Sequence, residues 1–308
     1  MARVAPRAPV RTVTNLLAVP LSIACEDEAV LARIDALCRR WQSPGSDDGR
    51  RGLQLEVEVD EPARSGGAIS LNVRHARLQL SGSEAQGWAD ARLGLAKCVV
   101  ARNWVDSHRF LDEIIEPLLL FLLSHEDRTP IHASACMIDG MAMILAGPSG
   151  SGKSCLAHAA RQADLPVLSD DTVHVQLRPH LRLWGLPRPI HLYPGDAPDD
   201  DSPLRWRNGK LKRSIASADC RPLMAVRAVL CLLERGDTVV LEIREPHEAS
   251  PLLPDLEPGF DLLAAQSREA YAALSARGYA RLTLGTDPAQ AIAVLRSHAG
   301  ALAQIAAP

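Results

Sequence analysis

One short segment constrains the fold of this chain more than any other. Residues 147–154 read GPSGSGKS, which matches the phosphate-binding pattern G-x-x-x-x-G-K-[ST] in full. The apolar run at 141–146 predicts a short buried strand before this loop. The Ala- and Leu-rich segment at 154–162 predicts a helix that begins near Lys153. A strand, a glycine-rich loop and a helix in this order indicate an α/β sheet that binds a nucleotide; a glycine-rich turn without a ligand is the alternative.

The residue types of this loop suit phosphate groups. Glycines let backbone N–H groups curl around an anion, and the helix directs its positive end at the same anion. Lys153 is expected to reach the β- and γ-phosphates, and the Ser154 hydroxyl to ligate Mg²⁺. For Cys155, packing on the helix face and sensitivity to thiol oxidation are the alternatives to nucleotide contact. The predicted nucleotide-binding residues of the loop are Gly147, Ser149, Gly150, Ser151, Gly152, Lys153, Ser154 and Cys155.

A pair of carboxylates follows the loop at close range. Residues 164–171 read DLPVLSDD, which predicts a short buried strand with Asp170 and Asp171 at its carboxyl end. Ligands of parallel sheets collect at the carboxyl ends of strands, so this pair should share an edge with the phosphate loop. Adjacent strand residues point to opposite faces, and their roles can therefore differ. One can hold Mg²⁺ while the other takes a proton from a hydroxyl; a plain turn or helix cap is the alternative.

Composition narrows the class of protein. The chain has 308 residues, 47% of them apolar and 23% charged, as expected for a globular protein with room for two domains. A formal net charge of −3 and an aromatic share of 4% give no indication of nucleic-acid binding. The longest apolar run, at 117–123, is too short to span a bilayer, and no signal peptide is visible. We therefore expect neither a nucleic-acid nor a membrane partner.

Cysteine usage indicates a reducing compartment. The 7 cysteines form no C-x-x-C pair, and several lie in apolar runs. This pattern is typical of reduced thiols and not of a disulfide framework or a zinc site. We expect a cytoplasmic protein.

The character of the sequence changes near residue 125. Before it, residues 26–41 have the amphipathic pattern of a helix, and residues 53–59 alternate as in a half-exposed strand. Residues 1–125 are interpreted as a small α+β domain whose role is unknown. Residues 126–308 are interpreted as the catalytic domain.

A histidine precedes the strand that leads into the loop. Residues 130–138 predict one strand, Asp139 and Gly140 a hairpin turn, and 141–146 its partner. His132 would then lie on the strand next to the phosphate loop. A packed or surface histidine is the alternative.

Positive charge is concentrated at 205–213, which reads RWRNGKLKR. Such a run is commonly a solvated face. Near a triphosphate, however, one or two cations steady the transferring group, and Lys210 and Arg213 are the candidates.

Three of these features together resemble the catalytic domain of HPr kinase/phosphorylase. They are the run HASA that begins at His132, the loop at 147–154, and the LSDD that ends at Asp171. That family carries a histidine before the loop strand, a G-x-S-G-x-G-K-S loop and an Asp-Asp pair after the next helix. The resemblance covers roughly residues 128–195. It implies an α/β fold: a P-loop kinase domain of HPr-kinase type, with a mixed sheet and flanking helices, preceded by a small α+β N-terminal domain.

The resemblance also implies a chemistry. The reaction would be transfer of the γ-phosphoryl group of ATP to a serine hydroxyl, with Mg²⁺ as the second cofactor. By position, Asp170 would be the base, Asp171 would assist the metal or the base, and His132 would hold the charge or proton balance. The implied catalytic residues are His132, Lys153, Asp170 and Asp171, and the implied metal ligands are Ser154 and Asp171.

Two stretches depart from that family. Residues 185–190 read GLPRPI, without the acidic metal ligand of the family's signature segment, and residues 1–125 do not resemble its usual sensor domain. The chain is more similar to HPr-kinase-like proteins found with bacterial peptide natural products. Among these, the lasso-peptide kinases phosphorylate the C-terminal serine of a precursor.

Three functions remain open at this point. The first is a kinase that uses Mg²⁺ and ATP and acts on a serine-bearing peptide or protein, such as a lasso-type precursor. The second is a kinase for a small metabolite or an HPr-type protein. The third is a non-catalytic module whose nucleotide state sets its affinity for a partner. Assembly into a homo-oligomer is left open as well.

Overall fold

The chain divides between Glu126 and Asp127 into two units, each with sheets of its own. The computed structural model describes residues 9–42, 51–61, 68–107, 109–196, 202–207, 210–216, 224–246 and 263–308. The predicted domain boundary, after residue 125, differs from this division by one residue. No helix in these ranges is both long and apolar enough to cross a membrane.

The first unit contains a seven-stranded sheet. Its strands and helices are β1 (Val10–Leu16), β2 (Val19–Cys25), α1 (Glu28–Arg40), β3 (Leu53–Asp60), β4 (Ser70–Arg74), β5 (Arg77–Ser81), β6 (Ala85–Asp90), β7 (Leu95–Ala101) and α2 (Glu116–Ser124). The spatial order of the strands is β1-β2-β3-β7-β6-β5-β4. Pairing is parallel between β2 and β3 and between β3 and β7, and antiparallel elsewhere. The sheet is therefore mixed.

Helix α1 shows how local sequence determines an element here. The Asp27 carboxylate caps it by accepting hydrogen bonds from the backbone N–H groups of Ala29 and Val30, at 2.9 and 3.0 Å. Its buried face is formed by Val30, Leu31, Ile34, Leu37 and Cys38. The helix predicted at 26–41 is confirmed.

The described part of the second unit carries three sheets. Its elements are β8 (Thr129–Ile131), β9 (Ala133–Ile138), β10 (Met141–Ala146), α3 (Lys153–Gln162), β11 (Val167–Ser169), β12 (Val173–Gln176), β13 (Arg182–Gly185), β14 (Ile190–Leu192), β15 (Leu204–Arg207), β16 (Lys210–Ile215), β17 (Met224–Ala225), β18 (Ala228–Arg235), β19 (Val240–Arg244), α4 (Ala264–Leu274), β20 (Tyr279–Leu284), α5 (Pro288–Ser297) and α6 (Ala299–Ile305). The sheet orders are β11-β9-β10-β18-β20-β19, β17-β13-β12-β8 and β14-β16-β15. The predicted α/β class with a mixed sheet is confirmed at this level.

Strand direction in the six-stranded sheet decides which residues meet at its edge. β10, β18 and β20 run parallel, and β9 is antiparallel to both β10 and β11. β11 therefore points the same way as β10. The carboxyl ends of β10, β11, β18 and β20 and the amino end of β9 consequently share one edge.

Strand β10 is buried on both faces, as its uninterrupted apolar run predicts. Met141, Met143 and Leu145 pack into the cluster that contains residues of α3 and α5. Ala142, Ile144 and Ala146 pack into the opposite cluster, with residues of β12 and α4. The two clusters pack against opposite faces of β10 and thereby fix the position of the first residue of the phosphate loop.

The hairpin at Asp139 and Gly140 is confirmed, since both residues have positive φ (47° and 76°) and Met141 pairs with Ile138. The single strand predicted at 130–138 is wrong. It breaks at His132, where β8 pairs with β12 and β9 pairs with β10. A change of sheet inside an apolar run leaves no mark on its periodicity.

Candidate functional site

The glycine-rich loop forms a cradle between β10 and α3. Gly150 and Gly152 have φ of 85° and 105°, a region that side chains with a Cβ rarely adopt. A Cβ on Gly152 would lie 2.7 Å from the Leu284 Cδ1 atom, and one on Gly147 would lie 2.8 Å from the Ser151 Oγ atom. Gly152 is also the N-cap of α3 and supplies no side-chain cap. The first N–H groups of the helix therefore need another partner, which an anion would provide.

Lys153 and Ser151 lie inside this cradle. The Lys153 side chain is buried, and its Nζ donates to the carbonyl oxygens of Gly147 at 2.7 Å and Pro148 at 3.2 Å. The Ser151 hydroxyl is buried and has no hydrogen-bond partner among the described residues. An unsatisfied buried hydroxyl is costly, and a phosphate oxygen in the cradle would relieve that cost.

Asp170 lies beneath the edge of the sheet and is 1% exposed. One carboxylate oxygen accepts a hydrogen bond of 2.6 Å from the Ser134 hydroxyl, and the other accepts one of 3.2 Å from the His191 backbone N–H. Burial raises the pKa of Asp170, against the lowering effect of these two hydrogen bonds and a smaller one from the neighbouring Ser154 hydroxyl. Asp170 thus contacts Ser154, the residue predicted to hold Mg²⁺, but is not accessible to solvent.

Asp171 has the opposite environment. Its φ of 75° turns the backbone out of β11, and its side chain is 44% exposed. The carboxylate oxygen Oδ1 lies 3.5 Å from the His132 Nδ1 atom. His132 precedes β9, so strand direction brings it to the same edge as the end of β11. The carboxylate pair lies just after the last residue of β11, Ser169, and is split into a buried member and an accessible one.

A cleft of about 460 Å³ lies over the cradle. The predicted site residues that line it are His132, Ser149, Gly150, Gly152, Lys153, Ser154, Cys155, Asp171 and Lys210. The predicted residues outside its lining are Gly147, Ser151, Asp170 and Arg213. The lining residues that sequence reasoning missed are His191, Leu192, Tyr193, Asp196, Lys212 and Arg235. The cleft is therefore lined by the phosphate loop, by Lys153 and by the accessible carboxylate of Asp171.

The alternation of strand β16 separates its cations. Lys210 and Lys212 share a face and lie 6.0 and 5.5 Å from the centre of the Tyr193 ring. Arg213 points to the other face, and its Nη1 donates to the Ser202 carbonyl oxygen at 3.2 Å. Of the two cations predicted in this run, Lys210 alone lines the cleft. Lys212 lies beside Tyr193 because β14 pairs with β16. This pairing cannot be recognised in the sequence, so sequence reasoning missed Lys212.

Tyr193, Lys210 and Lys212 form a basic wall of the cleft, and an apolar cluster fixes its position. Ile190 and Leu192 of β14, Ile215 of β16 and Ala157 of α3 are buried together, and Val167 of β11 packs against them. The wall formed by Tyr193, Lys210 and Lys212 is therefore on the β11 side of α3. That is also the side of Asp171.

Oxygen donors for a divalent cation are present in the cleft. Ser154 and Asp171 line it, and Asp170 lies beside Ser154. Within the described ranges, no three His, Cys, Asp or Glu side chains form a group that could hold a metal ion alone. Mg²⁺ at nucleotide sites is held by one or two carboxylates together with phosphate oxygens, and this donor set fits that arrangement.

Comparisons with known proteins add little to this geometry. Neither a protein-family model nor a curated protein matches the chain. Among solved structures, the Hpr(Ser) kinase/phosphatase from Coxiella burnetii is similar, with a TM-score of 0.28 and 10% identity over 56% of this chain and 97% of that one. A TM-score this low carries no argument about fold or function. The functional proposal therefore depends on the site itself.

Proposed function

We propose that this protein is a kinase that transfers the γ-phosphoryl group of ATP, with Mg²⁺, to a serine-type hydroxyl. One observation carries the proposal: the phosphate cradle and the accessible carboxylate of Asp171 line the same cleft. Phosphoryl transfer needs little covalent chemistry from a protein and depends on positioning and charge neutralisation. The cleft offers both, because four cations (Lys153, Lys210, Lys212 and Arg235) and two carboxylates (Asp171 and Asp196) line it.

Lys153 would hold the phosphates. In the structure, Lys153 donates to two loop carbonyls, which are weaker partners than phosphate oxygens. The lysine would exchange these partners for the β- and γ-phosphates. Ser154, steadied by Asp170, would hold Mg²⁺, which neutralises charge on the phosphates when bound.

In this proposal the base is Asp171, and not Asp170 as the resemblance implies. A base must come within hydrogen-bond reach of the proton it takes, and Asp171 is accessible whereas Asp170 is 1% exposed. Asp171 would accept the proton of the acceptor hydroxyl, with His132 at 3.5 Å balancing its charge. Asp170 would act as a positioning residue for Ser154. The acceptor would enter between Asp171 and the wall formed by Tyr193, Lys210 and Lys212.

The acceptor that we propose is a serine-bearing peptide of the lasso-precursor type. The resemblance of the site motifs to HPr-kinase-like proteins supports this choice. A small metabolite, or an HPr-type protein, is the competing acceptor within the same reaction. Partners, oligomeric state and a cytoplasmic location remain predictions of the sequence.

The test is incubation of the full chain with Mg²⁺, ATP and candidate serine peptides, followed by mass spectrometry. The expected product gains about 80 daltons, the mass of one phosphate group. Asp171→Asn should lower kcat by about 10²–10⁴-fold while nucleotide binding persists, because general-base catalysis contributes about that factor. Lys153→Ala should abolish nucleotide binding.

Matched variants separate the alternatives. Asp139→Asn removes a carboxylate at the hairpin turn, at the opposite end of β10, and should leave turnover unchanged. The role of base would return to Asp170 if two results were found together. Asp171→Asn would be fully active, and Asp170→Asn would lose turnover but retain Mg²⁺-dependent nucleotide binding. Nucleotide binding without transfer to any acceptor would instead indicate the nucleotide-gated module.

A further inference from the structure

The strand carrying the phosphate loop has chemically different neighbours on its two sides. On one side, β9 and β11 bring His132 and Asp171 to the edge of the sheet. On the other side, β18 lies parallel to β10, with Ala146 opposite Leu232. Ala146 is the last residue of β10, so Arg235 lies three residues beyond the end of that strand, beside the loop. The loop is flanked by the proposed chemistry on one side and by an arginine on the other.

Arg235 lies directly against the loop. Its Nε donates to the Gly150 carbonyl oxygen at 3.3 Å, and a Cβ added to Gly152 would lie 3.4 Å from its Nη2 atom. Among the described residues this carbonyl is its only hydrogen-bond partner, and no carboxylate is paired with it. The guanidinium is thus held at the cradle by one nitrogen, which leaves its Nη groups for a ligand in the cleft.

The sheet order gives a bound nucleotide a direction. If the phosphate to be transferred faces Asp171, which is the premise taken from the proposed function, the nucleoside must leave the cradle elsewhere. The β11 side already holds Asp171, His132 and the wall of Tyr193, Lys210 and Lys212, where the acceptor would enter. The β18 side, with Arg235 at its rim, remains for the nucleoside.

We propose that Arg235 binds the nucleoside half of the nucleotide, through the α-phosphate and the face of the base. A guanidinium suits both groups, because its planar fork binds phosphate oxygens in pairs and its face stacks on aromatic rings. Arg235 is thus a nucleotide-binding residue from the neighbouring strand, and it selects a nucleoside triphosphate over a bare polyphosphate.

The test compares two probes on the full chain, ATP and inorganic tripolyphosphate, each with Mg²⁺, by isothermal titration calorimetry. Arg235→Ala should weaken ATP binding by about tenfold or more, and tripolyphosphate binding by less than about threefold. The small loss of tripolyphosphate affinity is expected because removing Arg235 also removes an exposed positive charge, whose attraction is screened by salt. Arg227→Ala is the matched control, since it removes an exposed arginine just before β18, at the opposite end of that strand, and should change neither affinity.

The possible outcomes separate this inference from the function on which it rests. Equal losses for both probes would assign Arg235 to the terminal phosphates, and unchanged ATP affinity would remove it from the site; either result overturns the inference alone. A wild-type chain that binds ATP but transfers no phosphate, while Arg235→Ala behaves as expected, would overturn the kinase and keep the inference. Failure of the wild-type chain to bind ATP would overturn both.

Discussion

At the scale of single residues, His174 is a buried ionisable side chain that lies outside the cleft. It is fully buried on β12, and neither ring nitrogen has a hydrogen-bond partner among the described residues. Burial lowers the pKa of His174 to about 4, and the positive charge of Arg128 acts in the same direction. Arg128 is itself buried and lies 4.9 Å from the centre of the Trp184 ring. The second unit therefore depends on His174 remaining neutral.

This environment predicts an acid-sensitive fold. The pKa of His174 is lowered in the folded state, so the unfolded chain binds more protons between about pH 6.5 and pH 4. Stability is fully present above that window and is lost as the pH falls through it, by roughly 3 kcal/mol for this one group. Urea unfolding of the full chain at pH 7.5 and pH 4.5 measures the loss.

A pair of histidine variants isolates the effect. His174→Leu should flatten the pH dependence of the unfolding free energy, because no proton can then be taken up at this position. The same substitution at His180, an exposed position, should leave the wild-type slope unchanged. An unchanged slope in His174→Leu would contradict the assignment.

At the scale of elements, the junction between the loop and α3 depends on Gly152. Its φ of 105° disfavours any residue with a Cβ, and an added Cβ would lie 2.7 Å from the end of the Leu284 side chain. We expect Gly152→Ala to destabilise the fold by about 1–3 kcal/mol and to abolish nucleotide binding, because the backbone is strained at this φ and the Leu284 side chain must move aside. Thermal unfolding and calorimetric titration with ATP measure the two effects.

Gly140 provides the control for this substitution. It also has positive φ (76°), but no atom lies within 4 Å of an added Cβ. Gly140→Ala should therefore cost only the backbone strain, about 1 kcal/mol, and retain nucleotide binding. Equal behaviour of the two variants would mean that the close approach of Leu284 is unimportant.

At the scale of the whole molecule, every residue that lines the cleft belongs to the unit Asp127–Pro308. Hydrogen exchange of the full chain, with and without Mg²⁺ and ATP, should therefore show protection at 147–157 and next to Arg235. No change is expected in the sheet of the first unit, because none of its described residues lines the cleft. Protection of that sheet by ATP would contradict a site confined to the second unit.

The predictions that succeeded rest on interactions between near neighbours in sequence. The amphipathic helix α1, the turn at Gly140 and the buried run of β10 are each specified within a few residues. Dihedral preference, side-chain period and local hydrogen bonding act over that distance. The strand predicted at 130–138 failed because its two halves pair with different strands, and pairing partners are distant in sequence.

The spacing of residues 147–154 was enough to predict a phosphate cradle, because it orders the glycines, Lys153 and Ser154. The sequence also placed two carboxylates near that cradle. Three features could be seen only once the chain was folded: Asp170 is buried and Asp171 accessible, Lys212 joins Lys210 beside Tyr193, and Arg235 reaches the loop from β18. The physical reason is that burial and electrostatic environment depend on which strands become neighbours, and that choice is made by the packing of the whole unit.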